Sequence, residues 1–142
     1  MRKSLWLLLI GLLHFNIAMS SEKEYLDSLV NVAKEFGCEN FEKSDSLISE
    51  VLRISLEKEF NELACKAYEI KANSLMCNGK YLESIKVAKK SIRLFTSSNK
   101  ESIPLFVISS AFRRLNELDS SLKYSRLVME IALKTGDKVL EA

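Results

Sequence analysis

Histidine, tryptophan, proline and glycine are nearly missing from this sequence. Of 142 residues, four are glycine, and proline, histidine and tryptophan occur once each. So few breakers exclude an all-β sandwich, which needs a turn signal about every 8–12 residues. Long helices joined by short turns fit the composition instead. The lone histidine, His14, and the lone tryptophan, Trp6, both fall within the first 20 residues. Once that segment is removed, no Ser-His-Asp or Cys-His catalytic group can be built, nor a zinc site that contains histidine. Three cysteines (Cys38, Cys65, Cys77) are too few for a four-thiolate site. There is no glycine-rich phosphate loop, no paired-carboxylate motif and no calcium loop. The expectation is a protein with no cofactor and no catalytic activity.

What is present begins with a leader. Arg2 and Lys3 form a basic start, Leu5 to Leu13 an uncharged apolar stretch, and Ala18-Met19-Ser20 offers small residues one and three places before a cut. An uncleaved membrane anchor is the other reading. His14 and Asn16 interrupt the run, leaving it short of the roughly 20 apolar residues that span a bilayer. Residues 1–20 therefore read as a signal peptide, and the mature chain as exported to the periplasm or secreted. Cleavage removes Arg2 and Lys3 from the 21 basic residues and nothing from the 19 acidic ones, so the mature chain balances at zero. A nucleic-acid binder carries a basic surplus, so a nucleic-acid partner is not expected.

With 47% hydrophobic and 28% charged residues, the chain can pack a core and is not of disordered composition. Apolar residues recur at helical spacing almost throughout. Leu26, Leu29, Val30, Ala33 and Phe36 form the first stripe, opened by a Ser21-x-x-Glu24 capping box. Phe41, Leu47, Ile48, Val51, Leu52 and Ile54 form the second. The third runs from Phe60 to Leu75 and stops at Asn78-Gly79, and the fourth from Tyr81 to Phe95. Thr96 to Asn99 is the most loop-like stretch. Ser98-x-x-Glu101 is another start signal, with Pro104 in the first turn, where its missing amide does no harm. Phe106, Ile108, Ala111, Phe112 and Leu115 mark the fifth helix. Leu118, Leu122, Leu127, Val128, Ile131 and Leu133 mark the sixth, closed by Gly136. Six helices in three hairpins follow.

Cys65 and Cys77 lie on one helix, about 18 Å apart by the helical rise, too far for a disulfide. Cys38 and Cys77 lie near turns of successive hairpins, where a bridge is conceivable. Neighbouring helices sit about 8–10 Å apart, which favours small buried hydrophobes for all three.

The second helices share a pattern. Phe41-Glu42-Lys43-Ser44, Tyr81-Leu82-Glu83-Ser84 and Leu118-Asp119-Ser120-Ser121 each lead from a large apolar residue to a serine, and the serines are 40 and then 37 residues apart. Periods of about 20–50 residues mark solenoids. Here the chain resembles the tetratricopeptide repeat family, in a longer-period variant. The middle unit carries the likeness best: Tyr68, Ala72 and Leu75 on its first helix, Asn78-Gly79-Lys80-Tyr81 at its turn, and Ser84, Ala88 and Ser91 on its second. Ile108, Ser109 and Phe112, followed by Ser121, Ser125 and Val128, repeat the pattern. The resemblance implies an all-α fold, a right-handed superhelix of about three hairpins. Its units would span about residues 22–56, 57–97 and 98–135 of a single domain, 21–142, with Lys138 to Ala142 starting a further helix.

In that family ligands lie on the concave face lined by the first helices. Carried over, the face includes Lys66, Glu69, Asn73 and Met76, then Phe106, Ser110, Arg113 and Arg114. One reading is a polar groove for a peptide, with Phe106 or Met76 as apolar contact. The other is an ordinary solvated helix face, which also suits the two basic doublets Lys89-Lys90 and Arg113-Arg114. Glu69 occupies a place where the family's carboxylate-gripping variant needs lysine, which argues against capture of peptide C-termini. The resemblance implies a protein–protein or peptide interaction module, like the exported sensory region of bacterial signalling proteins. A free periplasmic scaffold that organises an envelope complex is the alternative. The apolar surplus on the last helix implies self-association through the C-terminal hairpin.

The leader gives the first testable outcome. N-terminal sequencing of chain recovered from the periplasm is expected to start at Ser21. Intact chain in the membrane fraction would contradict it.

Overall fold

Each apolar stripe becomes one helix. In a computed structural model of the chain, residues 2–94 and 101–136 are described, residues 2–18 by their backbone alone. The helices are α1 (Arg2–Phe36), α2 (Phe41–Glu57), α3 (Asn61–Cys77), α4 (Tyr81–Leu94), α5 (Ser102–Arg114) and α6 (Leu118–Thr135). Consecutive helices pack on one another, and the first helices α1, α3 and α5 also touch in sequence. The second helices α2, α4 and α6 do not pack on each other comparably, so the stack curves towards the first-helix layer. The result is an all-α helical repeat superhelix.

The turns show why the chain reverses so tightly. After α3 the Lys80 N–H returns to the Leu75 carbonyl at 2.9 Å, and after α5 the Glu117 N–H returns to Phe112 at 2.9 Å. This closure needs a left-handed residue just before it. Gly79 fills the place in the middle hairpin at φ 73°, and Asn116 fills it in the third at φ 61°. Asparagine is one of the few side chains that tolerate that region.

Two start signals do not start helices as expected. α1 runs unbroken from Arg2 through Ser21, because the first 20 residues have no proline and are rich in good helix formers. Within this helix the Ser21 amide already has a carbonyl four residues back, so the capping box has nothing to cap. α5 begins at Ser102, with Glu101 flanking it and Pro104 in its first turn. Ser98, Phe95 and the expected helix at Lys138 to Ala142 lie outside the described residues.

Each hairpin closes on a serine. The Ser44 hydroxyl donates to the Ala33 carbonyl at 2.9 Å and Ser84 to Ala72 at 2.7 Å. In the third hairpin the roles reverse, and the Ser109 hydroxyl donates to the Ser121 carbonyl at 3.0 Å. Ala33, Ala72, Ser44 and Ser84 are wholly buried. Around these crossings lie two apolar clusters. One joins Leu26, Val30, Ile48, Val51, Leu63 and Tyr68, the other Ile85, Ala88, Val107, Ile108 and Ala111. In α5 the buried stripe includes Leu105 and Val107, whereas Phe106 faces water at 56% exposure. The periodicity had placed Phe106 with the core residues. On α6 Val128 is buried, while Leu122, Leu127 and Leu133 are exposed.

The cysteines correct the reading from helix spacing. Cys38 and Cys77 form a disulfide with their Cα atoms 5.4 Å apart, and both are exposed. The spacing of about 8–10 Å applies to helix axes. Cys38 stands in a turn and Cys77 on the last residue of α3, where the chain is no longer held at that distance. Closing a loop of 39 residues removes about 4 kcal/mol of chain entropy from the unfolded state. Cys65 alone is a buried thiol, as expected of a small hydrophobe.

Overpacking a crossing is the direct test of this architecture. Ala72→Leu and Ala88→Leu, both at wholly buried positions, are expected to lose about 1–3 kcal/mol. Lys89→Ala, on the exposed side of α4, should stay within about 0.5 kcal/mol. Equal shifts in urea midpoint for the two classes would overturn the assignment.

Candidate functional site

Among the described residues two grooves lie along the inner layer, and they differ in how their charges are used. Between α1 and α3 lies a groove of about 440 Å³ lined by Lys23, Glu24, Asp27, Glu62 and Lys66. Its charges are mixed, and the Lys66 ammonium is committed to Asp27 at 2.9 Å. Between α3 and α5 lies a second groove, of about 430 Å³. Met76, Cys77 and Tyr81 form one side, and Phe106, Ser110, Arg113 and Arg114 the other. No carboxylate among the described residues lines it. Among the described residues, neither arginine takes part in an ion pair.

The helix geometry explains the convergence. Phe106, Ser110 and Arg113 recur at spacings of four and three on α5, so they share one side of it. Arg113 and Arg114 also fall in the last turn of α5, where a cation meets the negative end of the helix dipole. Across the groove, Met76 and Cys77 end α3 and Tyr81 starts α4, and the disulfide to Cys38 ties this corner to the first hairpin.

Five of the eight residues expected on the concave face therefore meet in one groove: Met76, Phe106, Ser110, Arg113 and Arg114. Lys66 belongs to the neighbouring groove. Asn73 is exposed on α3 and lines neither. Glu69, half-buried between the two, is the exception in its electrostatics. Burial pushes its carboxyl up to about 7, against a smaller downward pull from Lys66. Asp27 takes the Lys66 ammonium, and among the described residues Glu69 has no ion pair. Tyr81 and Cys77 were missed as groove residues, because a turn aromatic and a small apolar residue read as core.

A third groove, of about 380 Å³, lies on the outer side between α2, α3 and α4 and holds Lys71, Lys80, Lys86 and Lys90. Its lysines are largely occupied. Lys71 pairs with Asp45 at 2.8 Å, Lys80 lies 4.4 Å from the centre of the Phe41 ring, and Lys90 lies 6.0 Å from that of Tyr68. Among the described residues no cluster of side chains is placed to hold a metal ion, and no helix is long and apolar enough to cross a membrane.

Glu69 makes stability depend on pH in a definite direction. Its folded pKa, about 7, lies above its ordinary value of 4.5, so the folded state holds the proton more tightly. The resulting stability is fully present below pH 4.5 and is lost as pH rises through about 7. Glu69→Gln should remove that loss, gaining roughly 1–3 kcal/mol on wild type between mildly acidic and mildly alkaline buffer. Parallel melting curves of the two proteins across this range would refute it.

No family model matches the chain, and no curated protein does. Among solved structures, the TPR domain of Arabidopsis FLU is similar over 80% of this chain and 98% of that domain, with a TM-score of 0.70 and 20% identity. The paired helices, the serine crossings and this likeness agree on one architecture: the chain has the tetratricopeptide repeat fold.

Proposed function

We propose that this chain is an exported binding module that holds an acidic segment of a protein or peptide in the groove between α3 and α5. The observation that carries the reading is the pair Arg113 and Arg114, outside any ion pair among the described residues and set beside exposed Phe106 and half-buried Met76. A guanidinium presents five donors in a planar fork that matches carboxylate oxygens. An apolar side chain of the ligand would lie against Phe106 and Met76, and the Ser110 hydroxyl can bond its backbone. This is recognition of an acidic motif on a helical scaffold. Glu69 keeps the neighbouring surface from serving as a lysine-rich clamp, so the ligand is an internal segment and not a chain end.

Export is supported by the leader pattern and by the disulfide, a bond that persists in oxidising compartments. A module of this kind, outside the cytoplasm, suits the sensory part of a larger signalling protein, as the resemblance to such exported repeat regions implies. Nothing in the site calls for catalysis, and binding alone accounts for its residues.

Fluorescence anisotropy with three labelled peptides tests the groove: one acidic with a central leucine, one with lysines in place of its acids, and one acidic without the leucine. The first is expected to bind tightest. Arg113→Gln with Arg114→Gln should weaken it at least about tenfold, or 1.4 kcal/mol, while stability falls by no more than the lost dipole contribution of roughly 0.3–1 kcal/mol per side chain, because both side chains are exposed. Equal affinity for the acidic and basic peptides would sink the proposal.

A further inference from the structure

The joints between hairpins carry a rule that the two ends of the described chain also obey. Each joint brings together the residue after a crossing serine on a second helix and the residue before the crossing alanine or serine on the next first helix. In the first joint these are Asp45, after Ser44, and Lys71, before Ala72, and they form an ion pair at 2.8 Å. In the second they are Ile85, after Ser84, and Ile108, before Ser109, and both lie in one apolar cluster. The chemistry changes from charged to apolar, but it changes on both sides together.

The same positions at the ends are Leu122, after Ser121 on α6, and Val32, before Ala33 on α1. Neither is covered. Leu122 is 52% exposed and Val32 40%. Around Leu122, the exposed residues Leu118, Met129 and Leu133 continue a stripe along α6. Leu118 corresponds to Phe41 and Tyr81, three residues before the crossing serine, and Met129 to Leu52 and Ile92, eight after it. Leu52 is buried, and Tyr81 and Ile92 pack into the core of the second joint. Around Val32, exposed Tyr25 and half-buried Leu29 and Phe36 form the matching stripe on α1. Their counterparts Ala64, Tyr68 and Leu75 on α3 are buried in the first joint.

We propose that the chain binds a second copy of itself head to tail, the outer face of α1 in one copy docking on the outer face of α6 in another. The contact would repeat the packing of α3 on α2 and of α5 on α4, with Leu122 meeting Val32 as Ile85 meets Ile108. Two surfaces that are partners inside the chain are left open at opposite ends, and a second copy covers both kinds. A contact between two α6 faces would bury one stripe and leave α1 exposed. The head-to-tail interface is heterologous, so a pair still has one free face of each kind and assembly does not stop there.

The first joint supplies the test, because it shows that an aspartate and a lysine can occupy these two places. Wild type, Leu122→Asp and Val32→Lys, all carrying the same leader, are compared by sedimentation over about a hundredfold range of micromolar concentration. Wild type is expected to grow in mass with concentration without a plateau at the dimer. Each variant alone places a charge against an apolar partner and should associate at least about tenfold more weakly. An equimolar mixture of the two variants should regain association, since the aspartate tail then meets the lysine head and the leucine tail meets the valine head. Both side chains are exposed, and the circular dichroism spectra of the variants should match wild type. A wild type that stays monomeric, a Val32→Lys protein that associates like wild type, or a mixture no heavier than its components would each overturn the proposal. The second of these would point to contact between α6 faces instead.

Discussion

The fold hangs on how closely the two helices of a hairpin can approach. At each crossing one side carries alanine or serine, so no side chain holds the backbones apart. A hydroxyl placed there is buried and must be bonded, and the partner helix offers only carbonyls that already accept a helical hydrogen bond. Each carbonyl has a second lone pair, and the serine uses it. The geometry thereby converts a polar group, which costs about 1–3 kcal/mol when buried alone, into a net gain of about 1 kcal/mol. The same solution recurs between α3 and α4, where the Ser91 hydroxyl reaches the Cys65 carbonyl at 3.4 Å and the Cys65 thiol the Ser91 carbonyl at 3.7 Å. Ser55 is buried on α2 without such a partner among the described residues, and nothing in its surroundings accounts for it.

Because the crossings set the shape of each hairpin, the joints between hairpins can vary in chemistry. An ion pair occupies one and an isoleucine pair the other, at the same step along the helices. The disulfide acts across the first joint as well, binding the turn after α1 to the end of α3. It fixes the α3 side of the candidate groove without touching the hairpin crossings. A groove whose walls are held before a ligand arrives loses less ordering entropy on binding.

Number, order and type of the helices were legible because the signal for them is local. The apolar stripes, the serines near the start of each second helix and Asn78-Gly79 all lie within a few residues of the structure they specify. The small-residue positions were legible one level up, through the repeat. What stayed hidden depends on distance in space between residues far apart in the chain. The Asp27–Lys66 and Asp45–Lys71 pairs leave no trace in local periodicity. Cys38 and Cys77 meet because two turns converge more closely than two helix axes. Phe106 shows a different limit: its spacing fits the stripe, but Leu105 and Val107 beside it take the core side and turn it outward. Ser21 failed as a start signal because a capping box works only where the helix has an end.

Net charge hides the feature on which the functional reading rests. The mature chain would balance at zero, yet its acids are not spread evenly. Asp27, Asp45 and Glu22 are engaged by Lys66, Lys71 and Lys58 at or near the first joint, and among the described residues no acid lines the groove between α3 and α5. The helix dipole alone could justify one basic residue at the end of α5, at roughly 0.3–1 kcal/mol. It does not justify two adjacent arginines set against exposed Phe106. A dipole acts on charge near the last carbonyls, and lysine would serve it as well. The planar donor fork of arginine, unlike a lysine ammonium, matches the two oxygens of a carboxylate. The acidic segment proposed as the ligand would bring such an acceptor to this end of the groove.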